Sequence, residues 1–283
     1  MGGAPSRGGD AFPERPRVWV TGASGGLGES VALAFAAREA HLILSARRSA
    51  ELERVARACG AAGAASTRVV LLDQADARSV EAALEAATRD PLDVAVLNGG
   101  VGSRSSALDT DAATLRRVLD TNFLANAELA SGAARHFLKE GVDGRIAVVS
   151  SVQAFFGLPS RAAYAASKHA LTGYCDSLRA DLAGETAARV SVTVLAPGYI
   201  ATGHSVNALA GDGARYGVDD ASTKRGAPPE AVAAALLEAV EAREAERVVA
   251  PGASAVAARL LRALAPTALF SLLAKRARDE RRA

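Results

Sequence analysis

The stretch VWVTGASGGLG, residues 18–28, decides the fold because it joins an apolar run to a glycine-rich turn. The run predicts a buried strand, and the apolar spacing over residues 27–38 predicts a helix directly after the turn. A strand, a glycine-rich turn and a helix form the unit in which N–H groups at a helix N-terminus hold a pyrophosphate. Glycine suits the turn because a Cβ would block the turn or the approach of phosphate. The predicted cofactor contacts here are Gly22, Ser24, Gly26, Leu27 and Gly28.

Apolar runs alternate with helical segments along the rest of the chain, which is typical of βαβ units and a parallel sheet. Runs such as IAVVS and VSVTVLA are apolar throughout, as expected of strands covered by helices on both faces. We predict an α/β fold: a single-domain, doubly wound (Rossmann) parallel sheet of about seven strands with helices on both faces. The predicted strands lie near 17–21, 41–46, 67–72, 93–98, 145–150, 190–196 and 246–250.

The second predicted strand ends in two arginines rather than in an acid. Sites specific for NAD usually place a carboxylate here to accept a hydrogen bond from the ribose 2′-hydroxyl. A guanidinium at this place pairs instead with a 2′-phosphate. Arg47 and Arg48 therefore predict NADP(H) as the cofactor; the alternative is that both are solvated residues at the start of the next helix.

The stretch SSVQAFFGLPSRAAYAASKHAL, residues 150–171, carries the candidate chemistry. If residues 161–182 form a helix, Tyr164 and Lys168 share one face, one turn apart. An ammonium near a phenol stabilises the phenolate, so we expect the pKa of Tyr164 to fall from its ordinary value of about 10. Such a phenol can exchange a proton with a carbonyl or alcohol oxygen. The alternative is an amphipathic helix that carries both residues by chance.

Five motifs follow one another along the chain: TGASGGLG at 21–28, Asn122 in LDTNFLAN, Ser151, Tyr164-x-x-x-Lys168, and PGYIAT at 197–202. In this order they resemble the short-chain dehydrogenases/reductases, and the resemblance covers about residues 16–250. The likeness is closer to one branch, the member-7 and 7B type dehydrogenase/reductases. Three segments carry it: SRAAYAASKHALTGYCDSLRADL, APGYIATGHSVNALAGDGARYGVDD and LRALAPTALFSLLAKRARDERR.

The resemblance implies a role for each candidate catalytic residue. Tyr164 is the general acid in reduction and the general base in oxidation. Lys168 lowers the pKa of Tyr164 and hydrogen-bonds the nicotinamide ribose. Ser151 binds the substrate oxygen, where negative charge develops as hydride arrives. Asn122 fixes a water that relays protons to Lys168; the alternative for Asn122 is a core amide that interrupts a helix.

The resemblance also implies which residues hold the nicotinamide cofactor. Thr202 and the backbone of Ile200 seat the carboxamide, and Asp73 contacts the adenine. The further contacts implied are Asn98, Gly100, Tyr164, Lys168, Pro197 and Gly198.

Two positions depart from the family pattern. The usual Asn-Asn-Ala-Gly reads Leu97-Asn98-Gly99-Gly100, so one side-chain amide is missing and we expect a looser turn. Gln74 follows Asp73, where an apolar residue is usual. If Asp73 and the backbone contact the adenine, we expect Gln74 to matter little.

Composition narrows the class of protein. A chain of 283 residues, 49% hydrophobic and 23% charged, suits one large domain with a substantial core. A net charge of +2 without a basic stripe argues against a nucleic-acid partner. Cys59 and Cys175 lie far apart and the four histidines are scattered, so we expect no disulfide, no bound metal and a reducing compartment.

Four segments divide the chain. Residues 1–15 are predicted to be a disordered tail, residues 16–252 the catalytic domain, residues 199–227 a substrate loop within it, and residues 253–283 an amphipathic basic tail. The alternative for the loop is a disordered insertion. His204, Lys224 and Arg225 are candidates to meet an anionic group on a substrate.

Both ends raise the question of membrane contact. Met1-Gly2 with Ser6 fits the loose N-myristoylation pattern, and no secretory signal precedes the first strand. The C-terminal tail is too briefly apolar to span a bilayer, but an apolar and basic helix pair suits a membrane surface. The alternative is that the tail packs over the substrate cleft or against a partner subunit.

We therefore expect an NADP(H)-dependent reductase of a ketone on a lipophilic substrate, on the cytosolic side of the cell, with the endoplasmic reticulum or peroxisome as the membranes considered. The 7B-like resemblance implies acyl- or alkyl-dihydroxyacetone phosphate as one concrete substrate. A steroid- or retinoid-type dehydrogenase is the enzymatic alternative, and a catalytically idle NADP(H)-binding scaffold or sensor at a membrane is the alternative of another class. The family implies a homodimer or homotetramer.

Overall fold

The protein is built around one parallel sheet. The computed structural model describes residues 11–186, 188–218, 220–250 and 254–280. Seven strands pair in the order β3-β2-β1-β4-β5-β6-β7, and all pairs are parallel. The strands are β1 Arg17–Thr21, β2 His41–Ala46, β3 Ser66–Leu71, β4 Val94–Leu97, β5 Arg145–Val149, β6 Ser191–Pro197 and β7 Glu246–Val249.

Helices connect the strands and cover both faces of the sheet, which confirms the predicted doubly wound fold. They are α1 Gly26–Ala36, α2 Ser49–Ala61, α3 Ala77–Ala87, α4 Ala112–Leu119, α5 Ala125–Glu140, α6 Ala162–Leu182, α7 Ala221–Lys224, α8 Pro229–Glu241, α9 Ser254–Leu264 and α10 Pro266–Glu280. A π-helical turn, Asp120–Leu124, joins α4 to α5, and a 3₁₀ turn, Val152–Ala154, follows β5.

Two cores form because successive strand residues point to opposite faces. Val18 and Val20 pack in one core, which α1, α2 and α8 cover. Trp19 packs in the other core with residues of α3, α5 and α6, and its indole N–H donates to Ser45 Oγ at 2.9 Å. The central strands are therefore buried on both faces, which explains their continuous apolar sequences.

The carboxyl ends of the strands form the edge at which the candidate residues meet. The strand order reverses between β1 and β4, the place where a doubly wound sheet opens a crevice for a ligand. The Thr21 hydroxyl at the end of β1 accepts hydrogen bonds from the backbone N–H groups of Asn98 and Gly99, at 3.0 and 3.1 Å. These bonds tie the glycine-rich turn to the segment that follows β4.

The N-terminal segment differs in part from the predicted disordered tail. Residues 1–10, including the Gly2 and Ser6 of the myristoylation pattern, lie outside the described residues. Phe12, however, stacks on Phe35 with ring centroids 6.5 Å apart, and Arg145 lies 4.8 Å from the Phe12 ring centroid. An aromatic side chain that finds apolar and cationic partners outweighs the local glycine and proline content.

The segment 199–227 is anchored along residues 102–111 rather than loose. Leu209 N donates to Gly102 O at 2.9 Å, and Arg104 N donates to Leu209 O at 2.8 Å. Asp111 N donates to Gly211 O at 2.9 Å, and the Leu209 side chain is buried. The described part of the segment therefore forms a strap over the loop that follows β4, not a disordered insertion.

The tail consists of two helices that touch the main body at few places. Pro266 begins α10, as expected of a residue that cannot continue the preceding helix. Arg259 on α9 lies 4.1 Å from the Phe155 ring centroid and forms an ion pair with Glu246. Since Phe155 follows the turn that begins at Ser151, these contacts place α9 beside the candidate site.

Candidate active site

The glycine-rich turn is shaped by contacts that leave no room for a side chain. Gly22 has a φ of +66°, and a Cβ on it would lie 2.8 Å from Asn98 Nδ2. A Cβ on Gly28 would lie 2.2 Å from the carbonyl oxygen of Gly22. The Asn98 amide donates to Thr21 O at 3.1 Å and to Gly22 O at 3.4 Å. The turn therefore packs the first residues of α1 directly against the backbone of Gly22. The free N–H groups at the start of that helix are those that a pyrophosphate site uses.

Arg48 is held against this turn. Its Nη2 donates to the carbonyl and to the hydroxyl oxygen of Ser24, at 3.0 and 3.1 Å. Arg47 is exposed and forms no hydrogen bond or ion pair with another described residue. Of the two arginines predicted to meet a 2′-phosphate, Arg48 is therefore the one that the fold orients.

Asp73 lies after β3 at the same edge of the sheet. Its Oδ1 accepts from Ala75 N at 3.0 Å, and its own backbone N–H donates to Ser79 Oγ at 2.9 Å. These bonds fix the turn that follows the strand. The predicted adenine contact of Asp73 stays a prediction.

Ser151, Tyr164 and Lys168 converge after β5, where the sequence motif predicts them. Ser151 lies at the N-terminal end of the 3₁₀ turn and its Oγ accepts from Gln153 N at 3.1 Å. Tyr164 and Lys168 lie one turn apart in α6, and Lys168 Nζ is 5.7 Å from the Tyr164 ring centroid. The buried ammonium donates to Val149 O at 2.8 Å.

Desolvation dominates the electrostatics of this cluster. It raises the pKa of Tyr164, while the hydrogen bond with Ser151 and the charge of Arg104 lower that pKa in part. Burial also lowers the pKa of Lys168 to about 8. The expected fall in the pKa of Tyr164 is therefore corrected: without a bound partner the phenol stays protonated, because desolvation of the phenolate outweighs the nearby charges.

Asn122 lies in the π-helical turn and is fully buried. Its Oδ1 accepts from Val101 N at 2.7 Å, and its Nδ2 donates to Val101 O at 2.8 Å and to Ser167 Oγ at 3.0 Å. Ser167 Oγ in turn donates to Tyr164 O at 2.7 Å. The amide thus joins the segment after β4 to the helix that carries the tyrosine and the lysine.

The turn after β4 is braced, contrary to the looser turn that the sequence led us to expect. Gln74 is buried, and its Nε2 donates to Gly99 O at 3.3 Å and to Thr121 O at 3.1 Å. Asn126 Nδ2 donates to the same two carbonyls, at 3.1 and 3.3 Å. Gln74, expected to matter little, therefore supplies an amide beside the turn that lacks one at Leu97.

The segment that follows β6 closes the edge of the site. Gly198 N donates to Val249 O at 2.8 Å, and Ala201 N donates to Ala227 O at 2.9 Å. A Cβ on Gly26 would lie 3.3 Å from Thr202 Cγ2, so Thr202 lies directly against the glycine-rich turn. Pro197, Gly198 and Ile200 lie on the segment that leads to Thr202, and the cofactor contacts of all four stay predictions.

His204 lies beside α6, with its imidazole in the neutral form. Its ring meets the Tyr164 ring edge-on, with centroids 5.9 Å apart. Desolvation, followed by the charges of Lys168 and Arg104, lowers the pKa of His204 to about 4. A neutral imidazole attracts an anion weakly, and Lys224 and Arg225 are exposed. None of the three is the strongest candidate for an anionic group.

Two arginines that no sequence pattern singles out are better placed. Arg104 and Arg161 have side chains that are 10% exposed, and they reach Oδ2 of Asp220 on the strap at 2.9 and 3.4 Å. Within the described residues, the Nε atoms of both arginines are buried without a hydrogen-bond partner. Single arginines carry no spacing signal, so only the approach of three distant segments reveals this cluster.

Neither a metal-binding cluster nor a membrane-spanning helix is found in the described part of the chain. There, no group of three or more His, Cys, Asp and Glu residues could hold a metal ion. No helix within the described ranges is long and apolar enough to cross a bilayer. Both cysteines are buried free thiols, and burial raises the pKa of Cys175 to about 12.

Comparison with known proteins agrees with this geometry. A family model described as short chain dehydrogenase matches residues 16–212. The Dehydrogenase/reductase SDR family protein 7-like of Anopheles gambiae is 38% identical, with 92% of this chain and 82% of that protein covered. The Dehydrogenase/reductase SDR family member 7B of Xenopus laevis is 36% identical, with 96% of this chain and 85% of that protein covered.

Solved structures share the fold. A short chain dehydrogenase/reductase from Burkholderia phymatum in complex with NAD has a TM-score of 0.78 at 23% identity, with 89% of this chain and 94% of that chain covered. An alcohol dehydrogenase from Thermococcus sibiricus complexed with 5-hydroxy-NADP has a TM-score of 0.70 at 22% identity, with 83% and 96% covered. The chain belongs to the short-chain dehydrogenase/reductase family, and it is an NAD(P)-dependent oxidoreductase related to member 7B.

Proposed function

We propose that this protein reduces a ketone on a lipophilic substrate, or oxidises the matching secondary alcohol, with NADP(H) as its cofactor. One observation supports the reaction type above all others. The Tyr164 phenol and the buried Lys168 ammonium lie on one face of α6, next to the Ser151 hydroxyl and to the crevice beside β1. In such an arrangement the phenol can protonate a carbonyl oxygen, while the hydroxyl and the ammonium stabilise the charge that develops.

The cofactor supplies or accepts the hydride, and the residues of the chain handle the oxygen and its proton. Ser151 Oγ accepts from Gln153 N, and its O–H, which bonds to Tyr164 when no substrate is bound, can donate to the substrate oxygen. Tyr164 gives its proton to that oxygen in reduction and takes it back in oxidation. Lys168 stabilises the phenolate that remains. Asn122 holds the segment after β4 against α6, and we assign to this region the supply of the proton that Tyr164 has given up.

NADP(H) is favoured over NAD(H) by the surroundings of Arg48. Its guanidinium is fixed on Ser24, at the mouth of the crevice where a 2′-phosphate belongs, and Ala46 ends the preceding strand where NAD sites carry an acid. A guanidinium and a hydroxyl together match the acceptor oxygens of a phosphate. A carboxylate, which would repel that phosphate, is absent from residues 45–48.

A lipophilic substrate is favoured by the apolar surfaces around the cleft. The strap exposes Tyr216 and Val218, and α9 docks on Phe155 next to Ser151. The α9 helix also exposes Val256, Leu260 and Leu264, which repeat every four residues and so share one face. We include contact of this face with a membrane surface in the proposal, since such a contact gives access to a substrate dissolved in lipid.

An anionic ketone, such as acyl- or alkyl-dihydroxyacetone phosphate, is favoured over a steroid or retinoid by Arg104 and Arg161. Two largely buried guanidinium groups near the proposed catalytic tyrosine share one carboxylate, that of Asp220, and their Nε atoms lack partners, so a phosphate would supply the further acceptors that buried charges need. A steroid or retinoid ketone offers no partner to these groups.

A substrate panel tests the proposal. Purified protein and NADPH are mixed with an alkyl-dihydroxyacetone phosphate, its dephosphorylated ketone, a steroid ketone and retinal, and absorbance at the NADPH band is followed. We expect turnover of the phosphorylated ketone, and a KM for it that rises about tenfold or more in Arg104→Met, with little change for the neutral ketone.

The other possible results of the substrate panel would favour a different function or cofactor. Equal effects of Arg104→Met on both ketones would contradict an anionic substrate, and turnover of the steroid or retinal alone would favour that enzymatic alternative. NADPH binding without turnover of any compound would favour the idle scaffold or sensor. Faster turnover with NADH than with NADPH would contradict the cofactor assignment.

A further inference from the structure

Gln74 and Gly99 interlock, although they lie on different segments of the chain. Gln74 follows β3, and Gly99 follows β4. A Cβ on Gly99 would lie 1.6 Å from Gln74 Oε1 and 2.7 Å from Gln74 Cδ. An alanine at position 99 and the present glutamine rotamer are therefore mutually exclusive. The two departures from the family pattern that the sequence shows separately are one feature in space.

Backbone geometry does not require a glycine at position 99. The described glycines with left-handed φ angles are six, and Gly99 is not among them. Any L residue could adopt its backbone conformation, so space for the glutamine is what the missing side chain provides. The reason for Gly99 is thus the position of the Gln74 amide.

The Gln74 amide joins two segments that border the active site. It donates to Gly99 O on the segment that leads to Gly100, and to Thr121 O in the π-helical turn. Asn126 donates to the same two carbonyls and to Asn122 O at 3.0 Å. Two side-chain amides therefore hold the widened turn against the segment after β4.

The π-helical turn matters because it carries Asn122. In this turn the N–H of Ala125 pairs with Asp120 O, five residues earlier, so the ordinary helical pattern is interrupted. Asn122 clamps both backbone groups of Val101. A Cβ on Gly100 would meet Asn122 Oδ1 at 3.1 Å and Lys168 Nζ at 3.7 Å. Gly100 therefore lies between the asparagine side chain and the lysine ammonium.

We propose that Gln74 and Gly99 act as one interdependent pair that sets the position of Asn122 relative to Lys168, and thereby the proton supply to Tyr164. The proposal rests on the proposed carbonyl reduction. Gln74 is a positioning residue: it acts through the Gly99 and Thr121 carbonyls and not on the reacting atoms.

A double-mutant cycle in the full chain tests the pair. We expect Gly99→Ala to lower kcat about tenfold, because its methyl displaces the amide, and Gln74→Ala to lower kcat about threefold, because Asn126 still donates to both carbonyls. The double variant Gln74→Ala/Gly99→Ala is expected to be more active than Gly99→Ala alone, since the methyl then fills the space that the amide leaves. Gln74→Met keeps the volume but not the donor, and it should behave like Gln74→Ala.

The pH dependence of kcat separates positioning from packing. A displaced Asn122 changes the surroundings of Lys168, so the pH limb of kcat should shift in Gly99→Ala and return in the double variant, while the KM for NADPH stays within about twofold. Additive losses in the cycle, or variants that lower only the unfolding temperature and leave kcat and its pH limb unchanged, would overturn the proposal.

Failure of the proposed function gives a different result. A wild-type protein without turnover on any ketone would remove the catalytic part of the proposal together with the proposed function. Hydrogen exchange of residues 120–126 still reports on the interlock itself: Gly99→Ala should speed exchange there and the double variant should restore protection. Unchanged exchange in Gly99→Ala would contradict the interlock whatever the activity.

Discussion

The ammonium of Lys168 lies 5.7 Å from the centre of the Tyr164 ring and donates to the carbonyl of Val149 rather than to the phenol. The lysine head group is therefore anchored on the carbonyl at the end of β5, while α6 carries both the lysine and the tyrosine. Desolvation acts on both groups in the neutral direction, raising the pKa of the phenol and lowering that of the ammonium. A neutral phenol is the form that a proton donor needs in the reduction.

Replacing Tyr164 by phenylalanine should abolish most of the reductase activity. The change removes the proton donor and keeps the ring, so kcat is expected to fall about 10²–10⁴-fold while NADPH binding changes little. Tyr174→Phe is the matched control, because Tyr174 lies on the same helix and bonds to Ser131. Equal rates in Tyr164→Phe and wild type would remove this hydroxyl from the mechanism.

The rate of reduction should fall as the pH rises through about 8. Burial lowers the pKa of Lys168 to about 8, so the ammonium that stabilises the phenolate is lost above that pH, while the raised pKa of Tyr164 keeps the donor protonated. The measurement is the pH profile of kcat/KM for the ketone.

The same titration predicts how stability changes with pH. The unfolded chain binds more protons than the folded one between pH 8 and the ordinary lysine pKa of 10.5, so this group makes stability rise across that window.

His204→Gln is the control for the pH profile of activity: the pKa of His204 is about 4, so the limb near pH 8 should persist in this variant. Its loss in that variant would assign the limb to the histidine.

Arg48→Ala should weaken NADPH binding far more than NADH binding. The variant removes the guanidinium that Ser24 holds, so we expect the Kd for NADPH to rise about tenfold or more and that for NADH less than about threefold. Arg47→Ala is the neighbouring control and should have the smaller effect. Similar losses for both cofactors would show that Arg48 does not meet a 2′-phosphate.

Gly28→Ala should destabilise the protein and prevent cofactor binding. Its Cβ would lie 2.2 Å from Gly22 O and 2.7 Å from Asn98 Nδ2, so the turn must move. We expect a loss of about 1–3 kcal/mol in the free energy of unfolding, measured by denaturant titration. Gly173→Ala in α6 meets nothing within 4 Å and should be neutral or stabilising. Unaltered NADPH affinity in Gly28→Ala would argue against a phosphate at this turn.

Removing the chain after residue 252 should abolish binding to anionic vesicles. The apolar face of α9 and the basic residues of α10 are the groups that a membrane surface would attract, and flotation with phosphatidylserine vesicles measures their effect. A variant with serine at Val256, Leu260 and Leu264 keeps the charges and should also fail to float. Equal flotation of all three proteins would favour packing of the tail within the protein.

The features that depend on neighbours along the chain were predictable from the sequence. The strand, glycine-rich turn and helix at residues 17–36 follow from local apolar periodicity, and the approach of Tyr164 to Lys168 follows from their spacing within one helix. Each strand boundary was predicted to within a residue or two, since a strand buried on both faces shows itself as an uninterrupted apolar run.

Tertiary structure decided the relationships between distant segments. Gln74 and Gly99 are separated by 25 positions and Arg104 and Asp220 by 116, and no periodicity connects either pair. Their meaning depends on which strand ends lie side by side, which the sheet order alone determines. The chain by itself specifies that a nicotinamide oxidoreductase site exists, because the reacting groups lie in local motifs. The amides that support that site and the arginines beside it are brought together only by tertiary contacts, which exist once the sheet has formed.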